Sequence, residues 1–385
     1  LIIPLCGIGK RFKNAGYKAH KSLLEIQNFN MLERIIGKFD DKTDVYLITT
    51  SFIKKELENY LQNDKRKLLK RIFLIIVEQH TLGPAYSIFK AYSQLPKGIP
   101  TFISYCDITW DWDSSKYYIP PNTNAAIFCH YGFHPHLVND NYSAFCLPSK
   151  DLNTLKKIKE KDSFSNDWMN EPLSIGLFYV NDLSILENPL KELINSKNKV
   201  SNEYFPSLLF NYLVISKINV NLIPVRNFVH YGTPLQFEDF KFWIDSFKNK
   251  INKSNFPYLY KSIIYTSGKG TRMKSISSVP KALIRLGEET VLETILRNMP
   301  FEDSKINIVF NDESIKSFEN NNKIKYFQIS ETESQIESLA KSKDYLENMS
   351  NFFICSCDCF GYFDQNIFRK LTKTKKFDII CFGFK

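Results

Sequence analysis

Two glycines one residue apart follow a short apolar run near the start of the chain, in the stretch IIPLCGIGKRF. Gly7 and Gly9 are followed at once by Lys10 and Arg11, and Lys21 comes further on. Glycine lets the backbone approach an anion and point its N–H groups at it, and a helix behind such a loop adds partial positive charge. Arginine can bind two phosphate oxygens at once, whereas lysine supplies a point charge. These residues predict a site for a polyphosphate group.

The same pattern returns later in the chain, in IIYTSGKGTRMKSISSVPK. Gly268, Gly270 and Arg272 repeat the spacing of the first loop. Thr271 stands where the first loop has a lysine, and Lys281 follows at nearly the same distance as its counterpart in the first copy. A basic glycine loop can be no more than a solvated turn, but its recurrence together with the lysine favours a functional site.

Two familiar phosphate-binding motifs are excluded. A Walker A loop requires G-x-x-x-x-G-K-[ST], which neither copy contains. The dinucleotide motif G-x-G-x-x-G requires a third glycine, and the two copies have Phe12 and Met273 at that position. The additional cations of the loop therefore suit a triphosphate rather than a dinucleotide.

Apolar and amphipathic segments alternate from the start of the chain to Asp107. The strand candidates are LIIPL, DVYLITT, RIFLIIVE and PTFISYCD, and the helix candidates between them are FNMLERIIGKF, IKKELENYLQ and AYSIFKAYSQL. Strands separated by helices form parallel sheets, and near-continuous apolar strands are those covered on both faces. The pattern predicts an α/β fold, with a Rossmann-like, mixed but mostly parallel sheet and helices on both faces. Residues 122–230 add the strand candidates NAAIFCHYG, YSAFCLPS, SIGLFYV and VNLIPVRNFVHYG.

The order of elements starts again after a helix candidate, QFEDFKFWIDSFKNKINK, and a linker is predicted near residues 249–258. SIIYTSGKG, VLETILRNM, KINIVFN, KIKYFQIS, QIESLAKSKDYL and FFICSCD repeat the first copy, and Asp358 matches Asp107. A period this long indicates a tandem domain duplication. Residues 1–250 are predicted to be a complete domain, and residues 258–385 the N-terminal half of a second, with more chain expected beyond them.

The formal net charge of +10 suits anionic ligands. With glycine loops rather than a nucleic-acid motif, we expect nucleotides and no nucleic acid. No stretch approaches the roughly 18 apolar residues of a membrane span, and no signal peptide is visible, although the chain begins with leucine. Eight cysteines form no C-x-x-C pair, so reduced thiols and a cytoplasmic location are predicted. The sequence leaves homo-oligomerisation open.

The two loops resemble the signature of the sugar-phosphate nucleotidyltransferase family, G-x-G-x-R-[FM] followed by P-K. Residues 268–281 match it almost letter for letter, and residues 7–21 match with His20 where proline is usual. The resemblance covers essentially the whole chain, in two copies of which the second is incomplete. It implies transfer of a nucleoside monophosphate from a nucleoside triphosphate to a phosphorylated acceptor, a sugar 1-phosphate, with release of pyrophosphate. The product would feed surface (capsule) polysaccharide synthesis.

The resemblance also implies roles on the nucleotide side. Arg11 and Lys10 would hold the leaving pyrophosphate, and Lys21 would bridge the α-phosphate. The segment EQHTLGPAYSI is similar to the part that binds the base, and SYCD to the strand end whose aspartate, Asp107, holds Mg²⁺. Arg11, Lys21 and Asp107 are the implied catalytic residues. The implied nucleotide-binding residues are Cys6, Gly7, Gly9, Lys10, Arg11, Gln79, which would select the base, and Gly83, which would pack against it.

On the acceptor side the resemblance rests on IKEKDSF, SIGLFYV and the closing segment FVHYGTPLQFEDF. Glu160 would bind sugar hydroxyls, Lys161 the acceptor phosphate, and Gly176 would line the sugar pocket. Joining two anions needs little covalent help from protein, because positioning and charge neutralisation do most of the work. Taken alone, the run LKKIKEKD would be a solvated face.

Three positions depart from the family pattern. His230 stands where a second metal-binding aspartate is common, and His20 replaces the proline before Lys21. The second copy has ISETESQIESL, without a glycine, in place of the base-binding segment, which argues against nucleotide binding there. Its phosphate-side residues are nevertheless present: Gly268, Gly270, Thr271, Arg272, Lys281 and Asp358.

Three alternatives stay open. The first is a cytidylyltransferase for a non-sugar phosphate such as phosphocholine. The second is a nucleotide-sugar glycosyltransferase that uses Asp111 and Asp113 of DWD as a metal motif, although such a pair is more often an exposed loop. The third is a non-catalytic role for the second domain. The sequence does not determine the base or the acceptor.

Overall fold

The apolar segments of the first copy become the strands of one large sheet. The computed structural model describes residues 1–63, 71–112, 119–132, 134, 136, 143–248, 261–271, 273, 277–286, 289–299, 301–318, 323–346, 352–359, 365–374 and 379. The chain divides into two compact units, Leu1–Asp245 and Ser246–Lys385. The linker predicted near residues 249–258 lies outside the described residues.

The first unit contains strands β1 to β13, helices α1 to α6 and most of helix α7, which runs across the boundary between the units. The strands are β1 (Ile2–Pro4), β2 (Glu25–Ile26), β3 (Phe29–Asn30), β4 (Val45–Thr50), β5 (Ile72–Val77), β6 (Thr101–Ser104), β7 (Ile108–Asp111), β8 (Ala125–His130), β9 (Ala144–Pro148), β10 (Leu155–Glu160), β11 (Leu173–Val180), β12 (Val220–Pro224) and β13 (Arg226–His230). The helices are α1 (Lys10–Asn14), α2 (Met31–Ile36), α3 (Ser51–Asn63), α4 (Pro84–Ala91), α5 (Glu187–Asn195), α6 (Leu209–Ile215) and α7 (Pro234–Lys248).

The large sheet has the order β10-β9-β11-β6-β1-β4-β5, with β8 beside β11 and β12 beside β8. Strands β6, β1, β4 and β5 are parallel, whereas β11 runs antiparallel to β6. Ile2 packs in one apolar cluster with residues of α4, α5 and α6, and Ile3 packs in the other with residues of α2 and α3. Both faces are therefore covered, and the predicted α/β fold with a mixed sheet is confirmed.

The second unit contains a smaller parallel sheet. Its strands and helices are β14 (Lys261–Tyr265), β15 (Arg285–Leu286), β16 (Glu289–Thr290), α8 (Val291–Asn298), β17 (Ile306–Phe310), β18 (Lys325–Gln328), α9 (Gln335–Lys341), α10 (Lys343–Leu346), β19 (Phe352–Ser356) and α11 (Gln365–Lys373). The order β18-β17-β14-β19 is the order β5-β4-β1-β6 of the first unit. Helices α2 and α8 also begin in the same way. Each has a capping box and follows a hairpin of two strands that are two residues long.

Two segments differ from the sequence-based expectation. The run LKKIKEKD is more than a solvated face, because it contains β10, in which Leu155 and Ile158 are buried while Lys156 and Lys157 are exposed. The segment VNLIPVRNFVHYG is not one strand: β12 joins the large sheet beside β8, and β13 pairs with β7 in a separate two-stranded sheet. Among the described residues, no helix is long and apolar enough to cross a membrane.

Candidate active site

The first glycine loop connects β1 to the short helix α1. Gly9 caps that helix with φ of +66°, a left-handed conformation that favours glycine. Lys10 and Arg11 follow with exposed side chains. Gly7 is also exposed, whereas the Cys6 side chain is buried and directs its Sγ at the Ile48 carbonyl oxygen, 3.5 Å away. Burial raises the pKa of Cys6 to about 11, so its thiol stays protonated and uncharged at physiological pH.

His20 ties the loop to the segment that carries Lys21. Its Nε2 donates to the Gly7 carbonyl oxygen at 2.8 Å, and its Nδ1 lies 2.7 Å from Ser22 Oγ. Its φ of −60° is one that proline also adopts, and Pro280 has φ of −53° at the matching position of the second unit. His20 thus restrains the backbone by hydrogen bonds at the position where the family signature has proline, whose ring fixes φ.

Lys21 and Asp107 form an ion pair at the end of the parallel strands. Lys21 Nζ lies 2.8 Å from Asp107 Oδ2, and the carboxylate follows β6 within three residues. Burial alone would raise the pKa of Asp107, but Lys21, and then His230, hold it well below its usual value. Burial likewise opposes charge on Lys21, whose pKa is nevertheless raised by Asp107. Both groups are therefore charged over the physiological pH range.

The closing H-Y-G-T-P segment packs directly against Asp107. The Tyr231 backbone N–H donates to the Asp107 carbonyl oxygen at 3.0 Å, and the Tyr231 hydroxyl donates to the Ile108 carbonyl oxygen at 2.9 Å. A Cβ on Gly232 would lie 2.6 Å from both Asp107 Oδ2 and His230 Nε2. Gly232 is the glycine of the closing G-T-P segment that the family resemblance identified, but no role was predicted for it, because local spacing does not show that this turn meets a carboxylate far away in sequence.

Mg²⁺ fits this site only in part. The ion takes oxygen ligands and commonly uses one or two carboxylates with phosphates and water. Asp107 offers one carboxylate, but the neighbouring side chain is the His230 imidazole, whose pKa is lowered first by burial. No group of three or more His, Cys, Asp or Glu side chains is placed to hold a metal within the described ranges. A metal here would depend on the phosphates of a ligand.

A cavity adjoins His230. Its lining includes Glu160, Tyr105, Gly176 and Ser207. Burial raises the pKa of Glu160 to about 7, while a hydrogen bond from Ser207 Oγ, 2.5 Å from Glu160 Oε2, acts in the opposite direction. Tyr105 and Ser207 were not predicted from the sequence, because each reaches this place only through long-range packing.

Gly176 lies against the aromatic ring that closes the cavity. It has φ of +87°, and a Cβ would come within 2.4 Å of the Tyr105 ring. The Tyr105 hydroxyl is buried without a hydrogen-bond partner among the described residues. Lys161 does not line the cavity: its Nζ lies over the Phe205 ring, 5.0 Å from the centroid.

Gln79 and Gly83 occupy the turn between β5 and α4. Gln79 is exposed. Gly83 has φ of +90°, and a Cβ there would lie 2.8 Å from both Glu203 Cβ and the Tyr204 carbonyl oxygen. The backbone of Tyr204 also bonds to Leu82 and Ala85 on either side. The described contacts thus explain this glycine by protein packing.

Asp111 serves the protein rather than a ligand. Its carboxylate accepts hydrogen bonds from Asn227 Nδ2 at 2.9 Å and from Lys38 Nζ at 3.3 Å. Asp113 lies outside the described residues, so the DWD pair as a whole is not placed. The described half of the motif gives the glycosyltransferase alternative no support.

The second unit repeats the central ion pair. Lys281 Nζ bonds to Asp358 Oδ2, and Gly270 has φ of +57°. Gly268 and Thr271 are exposed in the loop. Arg272 lies outside the described residues. Unlike the first loop, this one carries a lysine between its glycines, Lys269, which pairs with two glutamates of the segment before α9.

Solved structures share this fold at low identity. A nucleoside-diphosphate-sugar pyrophosphorylase from Vibrio cholerae RC9 has a TM-score of 0.51 at 18% identity, covering 63% of this chain and 99% of its own. An apo UDP-glucose pyrophosphorylase, and the same type of enzyme complexed with UDP-glucose, each have a TM-score of 0.53 at 12% identity, covering 64% of this chain and 98% of theirs. No family model and no curated protein matches the chain. The chain thus has, over about two-thirds of its length, the fold of the nucleotide-sugar pyrophosphorylases.

Proposed function

We propose that the first unit is a nucleotidyltransferase, which transfers a nucleoside monophosphate from a nucleoside triphosphate to a sugar 1-phosphate and releases pyrophosphate. One observation carries this proposal: the glycine loop and the cavity are close to the same ion pair. A Cβ on Gly9 would lie 3.8 Å from Lys21 Cβ, Lys21 pairs with Asp107, and a Cβ on Gly232 would lie 2.6 Å from both Asp107 Oδ2 and the Nε2 of His230, which lines the cavity. This closeness supports a phosphate site next to an acceptor cavity.

The nucleotide side of this site is built for charge neutralisation. Arg11 and Lys10 carry exposed cations at the start of α1, where they can bind the departing pyrophosphate. Lys21 is held by Asp107 within reach of the loop and can pass its ammonium to the α-phosphate as negative charge develops there. Gln79, exposed at the opposite turn, is available to the base.

The acceptor side is built for a hydroxylated ligand. Glu160 and Ser207 present a carboxylate and a hydroxyl to the cavity, and such groups bind sugar hydroxyls. Gly176 leaves the Tyr105 ring in place as a wall. Lys161 would turn from the Phe205 ring to reach an acceptor phosphate. A nucleotide sugar made here is a glycosyl donor, consistent with a supply to surface polysaccharide synthesis.

Asp107 would hold the divalent ion that this chemistry needs. When bound with the triphosphate, such an ion neutralises phosphate charge that the three positive side chains alone do not balance. The role of this chain is to present one carboxylate beside Lys21 and to keep both charged.

The direct test is a screen of all four nucleoside triphosphates against phosphorylated acceptors, with pyrophosphate release as the measurement. Sugar 1-phosphates form one arm, and phosphocholine forms the other. Release that requires both a triphosphate and a sugar 1-phosphate is the expected result. Release with phosphocholine but not with any sugar 1-phosphate would show that the acceptor is not a sugar 1-phosphate. No release with any pair of triphosphate and acceptor would overturn the proposal.

We further propose that the second unit arose by duplication of the first. Its four strands follow the order of β5, β4, β1 and β6, and Lys281 and Asp358 repeat the ion pair of Lys21 and Asp107. The described elements from β14 to β19 correspond to the part of the first unit that precedes β7, and α11 follows them. The elements that build the Glu160 cavity have no counterpart among the described residues of the second unit.

A further inference from the structure

Helix α1 carries Lys10 and Arg11 of the glycine loop but is too short to be stable by itself. It has five residues, and isolated helices shorter than about 12 residues are marginal in water. Among these five described residues only Phe12 is buried, with 2% of its surface exposed. The direction in which Lys10 and Arg11 point therefore depends on what holds Phe12.

An aromatic triad of Phe12, Tyr17 and Phe237 holds α1 against α7. The chain turns back at Gly16, which has φ of +91°, and the Tyr17 ring lies against Phe12 with the centroids 5.4 Å apart. The Phe237 ring of α7 lies 5.8 Å from each of them, and all three pairs meet edge to face. The Tyr17 hydroxyl also donates to the carboxylate of Glu238 on α7. Because edge-to-face contacts have a preferred geometry, the triad fixes the orientation of α1 as well as its distance from α7.

Helix α7 is itself fixed to the rest of the first unit. Phe240 stacks on the buried Tyr231 ring, with 5.1 Å between the centroids and 11° between the planes. The Asp239 carboxylate lies 2.8 Å from His136 Nε2, and His136 Nδ1 lies 3.2 Å from the His230 carbonyl oxygen. Helix α7 is therefore a fixed support for the triad, and the triad sets the position of α1.

We propose that Phe237 and Tyr17 are positioning residues of the anion site, which through Phe12 orient Arg11 so that its guanidinium can bind two oxygens of a polyphosphate. This inference rests on the proposed function, which assigns a triphosphate to the loop. Bidentate binding by arginine requires a set geometry, because two N–H groups must point at two oxygens at once. A rotation of α1 would keep the charge of Arg11 but would lose one of the two bonds.

The competing role for the triad is to stabilise the fold alone. In that role the loss of a ring would lower the free energy of unfolding, as the loss of any buried ring does, and would not act through Arg11. The two roles differ in one observable property, which is whether the effects of Phe237 and Arg11 on anion binding are coupled. A double-mutant cycle measures this coupling.

The experiment measures the affinity of the full chain for inorganic triphosphate by titration calorimetry, with an unfolding curve for every variant. The variants are Phe237→Leu, Tyr17→Leu and the conservative Tyr17→Phe, which keeps the ring and removes only the exposed bond to Glu238. Phe39→Leu is the matched control, because Phe39 is 5% exposed and contacts three aromatic rings elsewhere in the first unit. Both leucine substitutions of the triad are also made in the Arg11→Ala background, so that one suffices if the other does not fold.

We expect Phe237→Leu and Tyr17→Leu to bind inorganic triphosphate about five- to tenfold more weakly, because coupling between residues in contact has effects of this size. Tyr17→Phe and Phe39→Leu should bind it as the wild type does, and the losses should vanish in the Arg11→Ala background. Unchanged affinity in a folded leucine variant of the triad, an equal loss in the Arg11→Ala background, or no binding by the wild type overturns the inference. Pyrophosphate release in the nucleotide screen is a separate measurement, so the proposed function can fail while this inference holds, and the reverse.

Discussion

Arg11 leaves the glycine loop with an exposed guanidinium and forms no ion pair within the described residues. If it binds two oxygens of the leaving pyrophosphate, Arg11→Ala should cost about 2–4 kcal/mol of transition-state stabilisation, measured from kcat/KM. Arg71→Ala is the matched control, because Arg71 is an exposed arginine that pairs with Asp44 elsewhere on the surface. Near-wild-type turnover in Arg11→Ala would remove the loop from the triphosphate site.

Asp107 and Asp111 are carboxylates only four positions apart, yet their surroundings differ. Asp107 is buried beside Lys21, whereas Asp111 is half exposed and bonded to Asn227. We expect Asp107→Asn to abolish metal-dependent turnover and Asp111→Asn to leave it largely intact, measured by pyrophosphate release. The reverse pattern would favour the glycosyltransferase alternative. Asp113→Asn, outside the described residues, completes the set and is expected to retain activity.

Glu160 should make stability depend on pH. Burial raises its pKa from 4.5 to about 7, so the folded state binds more protons than the unfolded state between these values. The free energy of unfolding should therefore fall as pH rises from about 4.5 to 7 and level off above, because an ionised Glu160 is disfavoured in the fold. Denaturant titrations of wild type and Glu160→Gln measure this. Parallel pH profiles for the two proteins would contradict the raised pKa.

The residues found from sequence and those missed differ in one respect. The glycine loop, Lys21 and Asp107 belong to contiguous motifs whose spacing carries the signal. Tyr105 and Ser207 reach the cavity through contacts with residues far away in the chain, such as the bond from Ser207 to Glu160 across 47 positions. Local spacing contains no record of such a contact, so these two residues could not be predicted.

At the scale of elements, the sequence predicted the buried parallel strands well and the irregular half less well. The apolar runs of β1, β4 and β6 predict strands covered on both faces, and the run of β5 predicts a strand that the structure places, partly exposed, at the edge of the sheet. Strand β10 was missed because lysines dominate LKKIKE, and only Leu155 and Ile158 pack inward. The division between β12 and β13 was missed because the chain stays extended while it changes sheets.

Alanine substitution at two glycines with positive φ should separate the cost of backbone strain from the cost of a steric clash. Gly98 has φ of +73°, and within the described residues nothing beyond its chain neighbours lies within 4 Å of the position that a Cβ would take, so Gly98→Ala should cost only about 1–2 kcal/mol. Gly83→Ala meets Glu203 and the Tyr204 backbone at 2.8 Å, and should cost about 1–3 kcal/mol more. Thermal or denaturant unfolding measures both. If Gly83→Ala instead weakened nucleotide binding at unchanged stability, the glycine would serve the base rather than the fold.

At the scale of the whole molecule, the two units keep the same frame and differ on the nucleotide side. Cys6 with Ser87 in the first unit corresponds to Ser267 with Ser338 in the second, where the two hydroxyls bond at 2.8 Å. The turn that contains Gly83 is replaced by one whose helix cap is a serine in an extended conformation. The second unit therefore keeps the same arrangement of strands and helices without a counterpart of Gly83.

Lys269 shows how the charges around the second glycine loop differ from those around the first. It occupies the position of Ile8 in the first loop, and its ammonium pairs with Glu333 and lies 3.9 Å from Glu331. Both glutamates belong to the segment that replaces the base-binding turn. A nucleotide whose base lies between loop and turn would have to break this pair and would meet two carboxylates. We therefore expect nucleotide binding by the second unit to be weak or absent.

The comparison that decides which unit is catalytic uses the two matching lysines. Lys21→Ala removes the cation beside Asp107 and, as loss of one preorganised donor, should lower kcat by about 10²–10³-fold. Lys281→Ala removes the equivalent partner of Asp358, where no acceptor cavity is described, and should leave turnover near the wild-type value. Both are assayed side by side by pyrophosphate release, and unfolding curves establish that each variant is folded. If Lys281→Ala removes most of the activity while Lys21→Ala does not, catalysis belongs to the second unit. Glu331 and Glu333 would then not prevent nucleotide binding there.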